Sequence, residues 1–328
     1  MSNISKEEIF GVRSFDQFEQ LALNVFRKQA IENHVFNHYL SSLGCKPAHV
    51  KKIDEIPFLP IEFFKTQKVL VDGLESEIVF TSSGTTGMQQ SKHYVSDLTY
   101  YEKSYRQAFN LFYGDIKDIA IVALLPSYLE RDGSSLIYMV DDLIKQANPV
   151  YSGYFLHNHL DLWQRLNELH SKGIPTLLIG VTYALLDFVE TYPIQFPDLI
   201  VMETGGMKGK RREMVREELH EILCRGFGVE NIHSEYGMTE LLSQAYSKGK
   251  GVFFSPPWMK ILVRDTNDPF DMLPTNRSGG INVIDLANIH SCSFIATQDL
   301  GMINSDGSFT IIGRFDQSDI RGCNLLVQ

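Results

Sequence analysis

The chain is poor in cysteine. It holds four in 328 residues, Cys45, Cys224, Cys292 and Cys323, and no two form a Cys-x-x-Cys pair. A chain of this length buries enough surface to build its own core. The sparse cysteines therefore argue against a disulfide scaffold and against a cysteine zinc site. No apolar run reaches membrane-spanning length. The opening residues Met-Ser-Asn-Ile-Ser-Lys-Glu-Glu contain no apolar signal region. The expectation is a cytoplasmic protein, without membrane insertion, in a reducing compartment. Positive charge is also short, with 30 Lys and Arg against 40 Asp and Glu, a formal net charge of −10. That balance excludes wholesale nucleic-acid binding and attraction to an anionic membrane. An anionic ligand must then be held by local donors or by a metal ion. No internal repeat, low-complexity segment or linker interrupts the chain.

What is present is an alternation of helix and strand patterns. Apolar residues at helical spacing run from Ser14 to Leu43, with Phe15, Phe18, Leu21, Val25 and Phe26 on one face. Ser14-x-x-Gln17 has the form of a capping box, and Gly44 is a natural stop. Pro57 and Pro60 break the chain around Ile56 to Phe64. Helices are expected over Asp97–Tyr113, Ser127–Lys145, Leu160–Lys172 and Lys210–Arg225. Between them, Ile119–Leu125, Thr176–Ile179 and Leu199–Met202 read as buried strands. The last quarter is β-rich, at Gly280–Leu286, Ser293–Ala296 and Phe309–Ile312, with a turn at Ser305-Asp306-Gly307-Ser308. Alternating strands and helices imply an α/β fold of helix-flanked sheets with a β-rich C-terminal portion.

The most informative segment is Thr81-Ser82-Ser83-Gly84-Thr85-Thr86-Gly87, which follows the apolar stretch Glu77–Phe80 and is followed by Lys92. Glycine lets the backbone approach phosphate oxygens, and Ser and Thr hydroxyls add donors. No Gly-Lys-Ser/Thr follows at Walker spacing, so this is not a P-loop. On its own the run reads either as a phosphate cradle or as an ordinary small-residue loop. Tyr236-Gly237-Met238-Thr239-Glu240 brings an aromatic face, a hydroxyl and a carboxylate together within five residues. Such a set can stack a base, bond a phosphate and hold a magnesium ion. Thr297-Gln298-Asp299 and Gly313-Arg314-Phe315-Asp316 come later.

In this order and spacing, the four segments resemble the adenylate-forming superfamily of acyl-CoA synthetases, adenylation domains and luciferases. The resemblance runs from about residue 78 to the end. It implies that Thr81, Ser82, Ser83, Gly84, Thr85, Thr86, Gly87 and Lys92 hold the ATP phosphates. It places Tyr236 and Gly237 against adenine, with Gly205 and Gly206 along its edge. It puts Thr239 near the α-phosphate, Glu240 on Mg²⁺, and Asp299 with Arg314 on the ribose. Two departures stand out. The loop's usual Gly-x-Pro-Lys tail is replaced by Gly87-Met88-Gln89-Gln90-Ser91-Lys92, and the usual Thr-Gly-Asp is Thr-Gln-Asp here.

A third departure narrows the reading. The sequence stops fourteen residues beyond Arg314, where the superfamily usually continues into a lid with a catalytic lysine. The expectation is an adenylating core over 1–313, binding ATP and acyl group, with a hinge-like tail over 314–328 in place of the lid. The chain is further similar to the LuxE family of acyl-protein synthetases. Four stretches carry this likeness: Ile56-Pro57-Phe58-Leu59-Pro60-Ile61-Glu62-Phe63-Phe64-Lys65, Leu129-Glu130-Arg131-Asp132-Gly133-Ser134-Ser135-Leu136, Pro256-Pro257-Trp258 and Asp319-Ile320-Arg321-Gly322-Cys323. It implies an acid–thiol ligase that activates a fatty acid as acyl-AMP and takes the acyl group onto Cys323. The group then passes to an acyl-CoA reductase-like or acyl-carrier partner.

Read from the residues, Cys323 has a cation two positions away, which favours the thiolate. The alternative is a small apolar side chain packed beside Leu325 and Leu326. Arg321 is a candidate substitute for the lid lysine. The basic cluster Lys208, Lys210, Arg211 and Arg212 reads as a solvated helix face or a partner surface. His157-Asn158-His159 reads as a polar helix start. Gly180-Val181-Thr182-Tyr183 is a candidate acyl-pocket wall. Two other functions stay open: an acyl- or aryl-CoA ligase whose lid is missing or supplied in trans, and a non-catalytic nucleotide-binding subunit.

Overall fold

The computed structural model describes residues 4–82, 89–126, 133–205 and 214–315. The chain falls into two compact units, one built from Met1–Asp72 and Pro257–Gln328, the other from Gly73–Pro256.

The first unit begins with helices α1 (Lys6–Phe10), α2 (Phe15–Glu32) and α3 (His34–Ser42), then strand β1 (Leu59–Pro60) and helix α4 (Phe63–Thr66). The continuous helical pattern from Ser14 is split at Asn33, which closes α2 and caps α3 by accepting from the Phe36 amide at 3.0 Å. Asn33 is fully buried and donates to the Ser291 carbonyl at 2.9 Å. A contact 258 residues away thus sets the break. Ser14 does cap α2, but the Gln17 side chain accepts from Arg13, so only half of the expected box forms. Gly44 takes φ +66°, as a helix stop requires.

The second unit opens on the hairpin β2 (Ile78–Thr81) and β3 (Lys92–Val95), followed by helix α5 (Leu98–Tyr113) with Asp97 as its cap. Then come β4 (Ala120–Leu124), α6 (Ser135–Gln146), β5 (Gly153–Tyr154), α7 (His159–Ser171), β6 (Thr176–Val181), α8 (Thr182–Thr191), β7 (Ile200–Thr204), α9 (Arg216–Phe227), β8 (His233–Tyr236), β9 (Ala245–Ser247) and β10 (Val252–Phe254). Their sheet runs in the order β5-β4-β6-β7-β8-β9-β10. It is parallel from β5 to β8 and antiparallel beyond. Strands β4 and β6 are buried at every position, as a parallel sheet covered on both faces demands. Helix α6 packs on β4, α8 on β6 and β7, and α9 on α8. No described helix is long and apolar enough to cross a membrane.

The chain returns to the first unit with β11 (Met259–Arg264), β12 (Ser278–Asp285), β13 (Phe294–Ile303) and β14 (Phe309–Arg314). These form an antiparallel meander, and β1 adds in parallel to the early part of β13. The sheet meets α2 and α3 through Phe26, Phe36, Phe58 and Phe294, whose rings pair at 5.7 to 6.2 Å. Each such buried ring contributes about 1.5–3 kcal/mol by area alone. Trp258 belongs to this packing: it is 3% exposed and meets Phe10 edge-on at 5.1 Å. The mixed α/β architecture with its large sheets matches the expected fold class.

Candidate functional site

In a parallel sheet, ligands gather at the carboxyl ends of the strands, where loops and helix starts leave backbone groups unpaired. In the second unit those ends carry the residues singled out from the sequence. Strand β6 ends at Gly180-Val181 and Thr182 opens α8. Strand β7 ends at Thr204-Gly205, and β8 ends at Tyr236-Gly237. Gly180 has no room for a side chain, since a Cβ would come within 2.7 Å of Leu185 and 3.3 Å of the Leu124 carbonyl.

The hairpin β2–β3 presents the Ser/Thr/Gly loop. Thr81 pairs with Lys92 at its neck. Above that pair, the Ser82 amide donates to the Ser91 carbonyl at 3.1 Å, and the Ser91 amide donates to Ser82 Oγ at 2.9 Å. The loop is therefore pinched at its base, with Ser82 Oγ as one acceptor in that closure. Ser83, Gly84, Thr85, Thr86 and Gly87 lie outside the described residues. Gly133, at φ +83°, packs against the same neck, and its carbonyl accepts from the Thr81 amide at 2.8 Å. A Cβ there would stand 3.0 Å from Thr81 Oγ1.

The hairpin is joined to the Tyr236–Glu240 segment by His93. This ring is wholly buried, and its Nδ1 lies 2.8 Å from the Thr239 carbonyl. A carbonyl can only accept, so Nδ1 carries the proton in this contact. Ser104 of α5 holds the far end of the segment through Ser243, Oγ to Oγ at 3.0 Å. Two motifs almost 150 residues apart in sequence (His93 and Thr239, separated by 146) thus become one structure. Glu240 is 5% exposed and Tyr236 is 8% exposed, with the Tyr236 ring edge-on to Phe253 at 5.9 Å.

Behind these residues lies a pair of acids that sequence reasoning missed. Thr182 Oγ1 donates to Glu203 Oε2 at 3.0 Å, and Ser234 Oγ donates to Oε1 at 2.8 Å. His220 Nε2 stands 3.7 Å from Oε1, a charge neighbour too distant for a hydrogen bond. Burial works against the Glu203 charge, but His220, Ser234 and Arg216 outweigh it and hold the carboxyl below its ordinary value. Glu235 behaves oppositely. Its Oε2 accepts from Thr204 Oγ1 at 2.7 Å, which links the ends of β7 and β8. Protein crowds Glu235 yet leaves it an accessible edge. The loss of solvation, with Glu203 alongside, pushes its carboxyl up to about 7. Gly237 leaves room beside it, since a Cβ there would fall 2.3 Å from Glu235 Oε1 and displace the carboxylate. The signal available in the sequence was a charged residue directly before the tyrosine of the motif.

The pH consequence has a definite sign. Between the ordinary glutamate value of 4.5 and about 7, folded Glu235 keeps a proton that the unfolded chain has lost. Its contribution to stability therefore falls as pH rises through that window and is flat above it. Glu235→Gln is expected to melt higher than the wild type above about pH 7, with the gap closing toward pH 4.5. A gap independent of pH, read by circular dichroism melts, would contradict this.

The first unit carries the second set. Asp299 is 5% exposed, and its Oδ1 accepts from Arg314 Nε at 2.9 Å; Arg314 itself is largely exposed. The two face each other in the β13–β14 register, and the ladder shifts between Leu300 and Gly301. A bulge of this kind turns a side chain away from the regular alternation. The Thr297 hydroxyl accepts from the Asp299 amide at 3.1 Å within the strand, next to the bulge.

The described cysteines are not poised as nucleophiles. Burial raises Cys45 and Cys224, and it pushes the fully buried Cys292 up to about 12. Cys323, Arg321, Gly206 and the cluster Lys208, Lys210, Arg211 and Arg212 lie outside the described residues. Among the described residues, no group of three or more His, Cys, Asp or Glu is arranged to hold a metal ion. His159 opens α7, as expected, with its ring on Phe188 at 5.8 Å.

Comparison with known proteins identifies the family and the fold. The sequence model of the family "Acyl-protein synthetase, LuxE" matches residues 13–328. Among curated proteins, nothing matches the chain. Solved structures share its fold. ATP-bound MatB from Rhodopseudomonas palustris superposes with a TM-score of 0.55 at 17% identity, covering 72% of this chain and 47% of MatB. The ATP-bound RpMatB-BxBclM chimera B3 gives the same values. An open conformation of 2-hydroxyisobutyryl-CoA ligase, in complex with 2-HIB-AMP and CoA, gives 0.65 at 12% identity, covering 92% of this chain and 70% of the ligase. The chain spans about half the length of the MatB structures, 47%.

Proposed function

The chain belongs to the LuxE acyl-protein synthetase family, and from that premise we propose that it activates a carboxylic acid, a fatty acid foremost, with ATP and passes the acyl group to a protein thiol. One observation carries the reading: the His93–Thr239 contact, which fastens the loop hairpin to the Tyr236–Glu240 segment at the strand ends. A hairpin that carries the Ser/Thr/Gly sequence, fastened to a hydroxyl–carboxylate pair in this way, suits a nucleoside triphosphate. ATP-bound MatB and the ligase complex with 2-HIB-AMP, on the same fold, support ATP as the nucleotide.

In the first step a carboxylate oxygen attacks the α-phosphorus. The bond to the bridging oxygen breaks, and pyrophosphate leaves with the electron pair. In the second, a thiolate attacks the acyl carbon and AMP leaves. The protein's part is to hold and orient charged groups and to keep water out. The loop from Thr81 to Gly87 and Lys92 would grip the outer phosphates, and the Thr239 hydroxyl the α-phosphate. Tyr236, Gly237, Gly205 and Gly206 would line the adenine, and Asp299 with Arg314 the ribose. An enclosed carboxylate at Glu240 fits Mg²⁺, which is commonly held by one or two carboxylates plus phosphate and water. When bound, the ion would neutralise phosphate charge. Cys323 would receive the acyl group, with Arg321 supporting adenylation, and a reductase-like or carrier protein would take it onward.

The chemistry has an isotopic signature. With a heavy-oxygen-labelled carboxylic acid, AMP released by the full protein should carry one labelled oxygen. Unlabelled AMP, with acyl transfer still occurring, would exclude the acyl-adenylate route.

A further inference from the structure

We propose that Glu62, Gln298 and Arg264 are positioning residues for Asp299, and that they make the nucleotide site selective for a ribose with both hydroxyls. The inference rests on the reading of Asp299 as the ribose ligand and adds to it the residues that aim the carboxylate.

Asp299 follows two residues that are each tied down from a different element. The Thr297 carbonyl accepts from Arg264 Nη2 at 2.6 Å. The Gln298 side-chain amide donates to the Glu62 carboxylate. Glu62 sits directly after β1, whose partners on β13 are Ile295 and Ala296, and the Ile61 amide donates to the Ala296 carbonyl at 3.0 Å. The segment 56–65 therefore runs alongside the approach to Asp299 and grips the residue before it. This accounts for the glutamine in Thr-Gln-Asp. A glycine there has no side chain with which to reach Glu62.

Arg264 is set in a built cradle. It is 9% exposed and donates to the Ile281 carbonyl at 2.8 Å and to Asn282 Oδ1 at 2.7 Å, as well as to Thr297. Gly280 leaves the space for it, since a Cβ would stand 2.6 Å from the guanidinium carbon. All three acceptors are neutral oxygens, so the buried cation is balanced through space. Burial pulls Arg264 below its ordinary value, while Glu62, Tyr39 and Asp299 act the other way. The guanidinium also faces the Phe315 ring at 5.5 Å, and the Phe315 amide donates to the Gln298 carbonyl at 2.8 Å. The alternating charges Glu62, Arg264, Asp299 and Arg314 thus hold the bulged strand from two sides. A carboxylate fixed in this way can accept from vicinal hydroxyls without reorganising. Loss of one such charge-assisted bond typically weakens binding by about ten- to a hundredfold.

The test compares the affinities of the full protein for ATP, 2′-deoxy-ATP and 3′-deoxy-ATP with magnesium present, by titration calorimetry. The variants are Gln298→Gly, Glu62→Gln, Arg264→Lys and Asp299→Asn, each checked by thermal melting. The wild type should prefer ATP by about tenfold or more. Gln298→Gly and Glu62→Gln should remain folded and lose at least about threefold of that preference, with less change in affinity for the deoxynucleotides. A purely structural role would weaken all three nucleotides alike and keep the ratio, which would overturn the proposal. Arg264→Lys decides the matter if Glu62→Gln fails to fold, because it keeps the charge but loses the fork. If the folded variants discriminate as the wild type does while Asp299→Asn does not, the positioning idea alone fails. If the wild type shows no preference, or Asp299→Asn keeps it, the ribose reading fails and takes the proposal with it.

Discussion

Thr239→Ala and Glu240→Gln are each expected to slow acid-dependent ATP–pyrophosphate exchange by about a hundred- to a thousandfold. The expectation follows from what adenylation asks of a protein. Little covalent work falls to side chains, and the barrier is lowered by donors and charges already aimed at the pentavalent phosphorus. Thr239 sits where the backbone is fixed from outside, its carbonyl held by the buried His93. On the proposed reading, a hydroxyl carried on a backbone held in this way would have less freedom to lose on meeting a phosphate oxygen. Glu240 is 5% exposed, so replacing its carboxylate by an amide removes a charge that water cannot easily replace. Both substitutions are nearly isosteric at the backbone and should leave the melting temperature close to that of the wild type. Exchange within a few-fold of wild type in either folded variant would remove these residues from the chemistry.

Cys323→Ser is expected to abolish acylation of the protein while leaving pyrophosphate exchange intact. The two half-reactions separate cleanly because adenylation needs no thiol. Burial raises the other three cysteines, and Cys292, at 0% exposure, is sealed in the core of its unit. A thiol held up in this way is a poor nucleophile at neutral pH. Cys323 instead follows Arg321-Gly322, where a nearby cation favours the thiolate. Intact-mass measurement after incubation with ATP, magnesium and a fatty acid should show one acyl addition in the wild type and none in Cys323→Ser. Arg321→Ala, in the same assay, should lower both exchange and acylation. An unchanged acyl adduct in Cys323→Ser would assign the acceptor elsewhere, and unchanged exchange in Arg321→Ala would remove the arginine from adenylation.

Much of the frame was legible from short-range signals. Asp97 before an amphipathic stretch marked α5, and apolar runs bounded by turns marked β4, β6 and β7. Gly180, Gly205 and Tyr236 fell at or just past the ends of β6, β7 and β8, where a parallel sheet exposes backbone groups. What stayed hidden depended on partners far away in the chain. The break at Asn33 is made by a bond to Ser291, and the glutamine of Thr-Gln-Asp is explained by Glu62, 236 residues earlier. Nothing in the local pattern marks Arg264, because its burial depends on the space that Gly280 leaves on the neighbouring strand. Glu235 gave no hint of its raised carboxyl, since that comes from loss of solvation in the folded unit and from Glu203 on the neighbouring strand, acting against the Thr204 hydrogen bond. Periodicity and caps report an element's own chemistry; they say nothing about which side chains meet across a sheet.

ATP–pyrophosphate exchange by the wild-type protein, measured across medium- and long-chain fatty acids and aryl acids, reads acid adenylation itself. An adenylating mechanism predicts exchange that requires both magnesium and a carboxylic acid, strongest with a fatty acid and absent without one. No exchange with any acid, while ATP still binds, would contradict it and leave a nucleotide-binding protein without adenylating activity.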